Sequence, residues 1–168
     1  SPVMQDIRVR KAIDMAIDRD GFVNHLLAGH GEVAVGPFPK ALPFGASHVH
    51  GVSYQPEEAR KLLEEAGWKD TDGNGYVDKD GKDLTIRWLT YPGRMELPVL
   101  AELVQDNLKQ IGIKVDVECS ADHLKVLEAG NYDVYASALV TAPTGDPEYF
   151  FHTCTLDQST KNRGFYHN

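Results

Sequence analysis

Residues 84–118 read LTIRWLTYPGRMELPVLAELVQDNLKQIGIKVDVE, and the spacing of their apolar positions changes twice. Leu84, Ile86 and Trp88 fall on one side of a two-residue repeat, which predicts a strand over Leu84–Thr90. Leu100, Leu103, Val104, Leu108 and Ile111 then recur every three or four residues, which predicts a helix over Pro98–Ile111. Ile113, Val115 and Val117 alternate with Lys114, Asp116 and Glu118, the mark of a half-buried strand. Downstream, Ala121–Ala129 reads as a short helix and Tyr132–Val140 as a third strand. Strands and helices alternating across short loops imply right-handed crossovers and a parallel sheet. The predicted fold class is α/β, with a βαβαβ parallel-sheet core.

Upstream the pattern is helical. Val9, Ala12, Ile13, Ala16 and Ile17 share one helix face, and Asp6 stands where a cap is needed. Asp18–Gly29 predicts a second short helix that buries Phe22, Leu26 and Leu27. Prolines 37, 39 and 43 rule out a long regular element between His30 and Ser53, leaving an extended Val33–Pro39 segment and a loop. Pro56, followed by Glu57 and Glu58, suits a helix first turn. Ala59, Leu62, Leu63 and Ala66 supply its apolar stripe, Gly67 ends it, and Trp68 can fold back on it. A polar loop spans Asp70–Lys82. Residues 1–168 are read as a single domain with an N-terminal helical part.

The chain carries 17 basic and 25 acidic residues, a net charge of −8, which argues against a nucleic-acid backbone or an anionic membrane surface as main partner. No apolar run approaches a bilayer-spanning length, and the opening Ser1-Pro2-Val3-Met4 reads as the edge of a cut domain. Cys119 and Cys154 lack metal-type spacing; they fit a disulfide in an oxidising compartment or two ordinary thiols.

The most metal-like stretch is Asp70-Thr71-Asp72-Gly73-Asn74-Gly75-Tyr76-Val77-Asp78. Asp70, Asp72, Asn74 and Asp78 stand at the first, third, fifth and ninth positions of an EF-hand-like calcium loop, with Gly75 at the sixth. Position twelve is Gly81, where a bidentate acid is required, so a turn-rich hairpin loop is the competing reading. His48 and His50 form a His-x-His pair in a loop of the kind that seldom holds metal. His25, His30, His123, His152 and His167 share no spacing and are assigned no role. No nucleophile elbow, zinc-protease motif or phosphate-binding glycine loop occurs, so no enzyme and no cofactor is expected.

Three stretches together carry a resemblance. Arg8-Val9-Arg10-Lys11-Ala12-Ile13, continuing through Ala16-Ile17-Asp18-Arg19-Asp20, is one. Tyr54-Gln55-Pro56-Glu57-Glu58-Ala59-Arg60-Lys61-Leu62-Leu63, ending Ala66-Gly67-Trp68, is another. The third runs Gln110-Ile111-Gly112-Ile113-Lys114-Val115, then Gly130-Asn131-Tyr132-Asp133 and Gly145-Asp146-Pro147. In order and spacing they resemble the family 5 extracellular solute-binding proteins. That resemblance implies the second lobe of a class II, periplasmic-binding-protein-like clamp. The parent would sit in the periplasm or, as a lipoprotein, on the outer face of the membrane. It would deliver a nickel chelate, another small polar metal complex or a short peptide to an ABC importer permease, with a first lobe completing its site.

The expected ligand-facing residues are Val140, Thr141, Pro143, Thr144 and Gly145, at the carboxyl end of the third predicted strand. Peptide-binding relatives carry a tryptophan and an ammonium-pairing aspartate in this segment; here those positions hold Val140 and Pro143. An ammonium held without a carboxylate is a desolvated, unpaired cation, so the resemblance favours a metal chelate over a peptide. Asp146 is read as the cap of a helix begun at Pro147. A free-standing calcium module centred on Asp70–Asp78 is the reading of another class.

Overall fold

The structure, a computed structural model, describes every residue except Ala46, Ser47 and Asn168. Where sequence reading expects one domain, the chain gathers into two compact units: Ser1–Glu32 with Val52–Ser137, and Val33–Gly51 with Ala138–Asn168.

In the first unit, α1 (Ile7–Met15) starts where the Asp6 carboxylate accepts the Arg8 backbone N–H at 2.9 Å. The Arg8 guanidinium beside it holds that carboxyl down at about 2. A short α2 (Arg19–Gly21) opens into a π-helical turn over Phe22–Leu26. The wider turn keeps Phe22 buried but swings Leu26 off the core face, so Leu26 is 48% exposed where burial was expected. Helix α3 (Pro56–Glu65) has Pro56 in its first turn and buries Ala59 and Leu63 against α1. Gly67 follows in the left-handed region, and the Trp68 N–H returns to the Leu63 carbonyl at 2.9 Å, which lays the indole on the core.

A hairpin of β1 (Asp78–Lys79) and β2 (Lys82–Asp83) leads into β3 (Thr85–Thr90). Then follow α4 (Glu96–Gln110), β4 (Lys114–Cys119), α5 (His123–Ala129) and β5 (Val134–Tyr135). The three strands β4-β3-β5 form one parallel sheet with β3 in the middle. Leu84, Ile86 and Trp88 meet Ala101, Val104 and Leu108 of α4, and Ile113 and Val115 complete that layer. The buried stripe of α4 is Leu97, Ala101, Val104 and Leu108, with Leu100 and Leu103 at its half-buried flanks.

Two expectations change here. The third strand was predicted over Tyr132–Val140; its ladder covers Val134–Tyr135, with flanking bonds from Asp133 N–H to the Arg87 carbonyl and from Ala136 N–H to the Leu89 carbonyl. Beyond Thr90, β3 gives way to Tyr91-Pro92-Gly93, and Pro92 has no N–H to continue a ladder. Val117, expected inside, is 37% exposed near the carboxyl end of β4, although Val115 two residues earlier on the same face is buried.

The second unit is built around aromatic contacts. Phe38 stands edge-on to Phe44 at 5.0 Å and to Phe150 of α6 (Glu148–Cys154) at 5.5 Å. The expected extended run Val33–Pro39 forms no strand; the chain bends repeatedly there. The loop reading for residues 30–53 includes Ala46 and Ser47, which lie outside the described residues.

Candidate functional site

Because all three sheet strands are parallel, their carboxyl ends lie along one edge. The chain leaves β3 for β4 on one side, then returns past β3 to β5 on the other. The connection reverses direction between β3 and β5, and open α/β sheets place ligands outside the carboxyl ends at such a switch point. Tyr91 directly follows β3, Tyr135 ends β5, and His123 opens α5. The His123 ring stacks on Tyr91 with centroids 4.4 Å apart and on Tyr135 at 6.0 Å, the planes within 21° and 17°. All three residues are half-buried, and the His123 Nδ1 is enclosed without a hydrogen-bond partner. Sequence reading missed this group, because a histidine with no partner at a recognisable spacing gives no signal. The available clue was partial: Tyr91 directly follows a predicted strand, whereas Tyr135 falls inside the strand predicted over Tyr132–Val140.

The residues expected to face a ligand lie in the second unit. Val140 is 62% exposed, Thr141 is half-buried, and Pro143, Thr144 and Gly145 are exposed. They form a turn closed by the Gly145 N–H on the Ala142 carbonyl at 3.0 Å, with Gly145 at φ +78°. Their predicted seat at a strand end is corrected: the strand stops at Tyr135, and the turn follows irregular chain. Asp146 accepts the Glu148 N–H at 2.8 Å, the expected cap at the start of α6.

In the acidic loop, one ligand oxygen each from Asp70, Asp72 and Asp78 lies within 4.8 Å of the others. Asp70 accepts the N–H groups of Gly73 and Gly75 at 2.7 and 3.0 Å, and Asp72 accepts that of Asn74 at 3.0 Å. Buried Asp78 is bound by the N–H and hydroxyl of Thr71 at 2.7 and 2.9 Å. The Asn74 amide donates to Asp72 and Asp83, each at 3.2 Å. Gly81 takes the hairpin turn at φ +73° and supplies no side chain where a twelfth ligand would stand. Three carboxylates this close repel one another, yet a missing bidentate ligand weakens any calcium site. Calorimetry is expected to show no calcium uptake below the millimolar range; tight uptake that Asp72→Ala abolishes would reverse this reading.

His48 and His50 are exposed and belong to no three-residue metal-ligating group among the described residues. Cys119 and Cys154 are both free thiols. Among the described residues no helix is long and apolar enough to cross a membrane.

A parallel α/β sheet with an aromatic group at its switch point suits a small-molecule receptor. Residues 1–162 match the bacterial extracellular solute-binding proteins, family 5 middle part, and the chain belongs to that family. It is 34% identical to the oligopeptide-binding protein AppA of Bacillus subtilis over 92% of this chain and 30% of the relative. It is 30% identical to the nickel-binding protein NikA of Staphylococcus aureus over 95% of this chain and 30% of the relative. Among solved structures, S. aureus NikA in complex with Ni(L-His)2 superposes with a TM-score of 0.83 at 28% identity, covering 96% of this chain and 32% of that one. The B. subtilis AppA complex with a nonapeptide gives 0.80 at 28% identity, covering 100% and 34%. The chain thus spans about a third of the length of these relatives. Their α/β fold is the one described above.

Proposed function

We propose that this chain forms the second lobe of a two-lobed, extracytoplasmic solute receptor that delivers a nickel chelate or another small polar metal complex to an ABC importer. The receptor works in the periplasm or on the outer face of the membrane, with a first lobe and the importer permease as its partners, and it catalyses no reaction. One observation carries the choice of solute: the Val140–Gly145 segment, exposed except at half-buried Thr141 and Ala142, contains no carboxylate. Hydroxyls of Thr141 and Thr144 with backbone groups can hold a neutral or anionic chelate, whereas a peptide ammonium needs a paired charge. A short peptide is the second reading, favoured by the 34% identity to an oligopeptide-binding relative.

The test is calorimetry on the full-length protein, titrated with nickel–L-histidine, Fe(III)–EDTA and a free dipeptide. The wild type is expected to take a chelate and refuse the dipeptide. Pro143→Asp, by adding a like charge, is expected to weaken Fe(III)–EDTA at least roughly tenfold. Tight dipeptide binding by the wild type would remove the chelate reading.

A further inference from the structure

The aromatic group at the sheet edge contains one feature that packing alone does not explain. Holding α5 on the sheet requires apolar surface, which a leucine or phenylalanine would supply without polar atoms. His123 instead brings two ring nitrogens, and its Nδ1 is enclosed with no hydrogen-bond partner. A neutral imidazole carries one N–H and one bare nitrogen. An enclosed N–H without an acceptor is the rarer and costlier arrangement, so the bare lone pair belongs on Nδ1 and the proton on Nε2. The residue is half-buried, and with Nδ1 walled in, the opposite edge is the polar edge left to face outward.

That tautomer limits what the ring can do. Binding a metal through Nε2 would push the proton onto Nδ1, whereas metal-ligating histidines give their second N–H to a carboxylate, a carbonyl or water. His123 is therefore suited to touching the organic part of a solute, and not its metal. We infer that Tyr91, His123 and Tyr135 form a solute-contacting subsite at the sheet's switch point, in which the stacked rings take a planar face and the His123 Nε2–H donates to a carboxylate oxygen. The inference rests on the reading above that this chain holds a solute, and it adds the class: a chelator or peptide with a carboxylate near a flat group. The location agrees with it independently, since the three residues come from two strand ends and a helix start that meet at the switch point.

Two measurements test it. In the wild type, long-range 15N–1H correlation spectra of the imidazole are expected to report the Nε2–H tautomer. In the full-length protein, calorimetry with nickel–L-histidine, Fe(III)–EDTA and a dipeptide compares His123→Gln with His123→Phe. Glutamine can place an N–H near the Nε2 position, whereas phenylalanine keeps the stack and loses the donor. His123→Gln is expected to stay within about threefold of wild type, and His123→Phe to weaken the bound probe roughly tenfold or more. Wild-type affinity in His123→Phe, or equal losses in both variants, overturns the inference, as does an Nδ1–H tautomer. A wild type that binds only the dipeptide overturns the chelate reading alone, and the two variants then decide the subsite on that probe. If the wild type binds none of the three, the functional reading falls and the subsite falls with it.

Discussion

Asp133→Ala is expected to cost about 2–4 kcal/mol of folding stability, measured by urea denaturation. The Asp133 side chain is 2% exposed and accepts three bonds from Arg87: from the backbone N–H at 2.9 Å, and from Nε and Nη2 at 3.1 Å each. Truncation leaves the Arg87 N–H of β3 unpaired and removes the main anchor of a two-residue strand. Arg87 itself is 43% exposed and can rehydrate, which keeps the loss below that of a fully buried pair. Burial pushes the Asp133 carboxyl up, but the Arg87 guanidinium and the Arg87 N–H hold it well below the usual carboxylate range. A depressed folded-state value means stabilisation that is present above the unfolded-state value and lost as pH falls through the folded one. Acid should therefore destabilise the wild type more steeply than Asp133→Asn. Equal acid slopes for the two proteins would refute the assignment.

Gly112→Ala is expected to lose about 2–4 kcal/mol, from backbone strain and steric overlap together. Gly112 sits at φ +80°, and a Cβ there would stand 2.9 Å from Val77 Cγ1 and 3.2 Å from the Val77 nitrogen. That nitrogen donates to the Gly112 carbonyl at 2.8 Å, tying the α4–β4 turn to the chain just before β1, so neither side can withdraw freely. Gly130 is the control. It has φ +69° and nothing within 4 Å of an added Cβ, so Gly130→Ala should lose only the strain, about 1 kcal/mol. Similar losses at both positions, read from thermal or urea unfolding, would show that the contact with Val77 does not matter.

These two residues show how family motifs can be legible before their reasons are. Gly112 and Asp133 both stand in stretches on which the family resemblance was recognised, yet the sequence says nothing of Val77 or Arg87 as their partners. The alternation of Leu84, Ile86 and Trp88 and the stripe ending at Leu108 were readable, since each is a repeat within one element. Val117 and Leu26 follow the same repeats and still lie exposed, the first near the end of β4, the second in a π-helical turn. The length of β5 was misread because ladder length is a property of two strands, and β3 had already ended.

The sequence alone determined the order of strands and helices from Leu84 to Tyr135, the α/β class and the family resemblance, because two- and 3.6-residue repeats, caps and motifs are local and each is written in a single stretch. Only the tertiary structure decided that β3 lies between β4 and β5, and therefore that Tyr91, His123 and Tyr135 come together. Their meeting depends on where two crossovers return the chain. Tyr91 stands more than 30 positions from both of its partners and carries no local mark of such a return, since contact across that distance is set by the packing of whole elements.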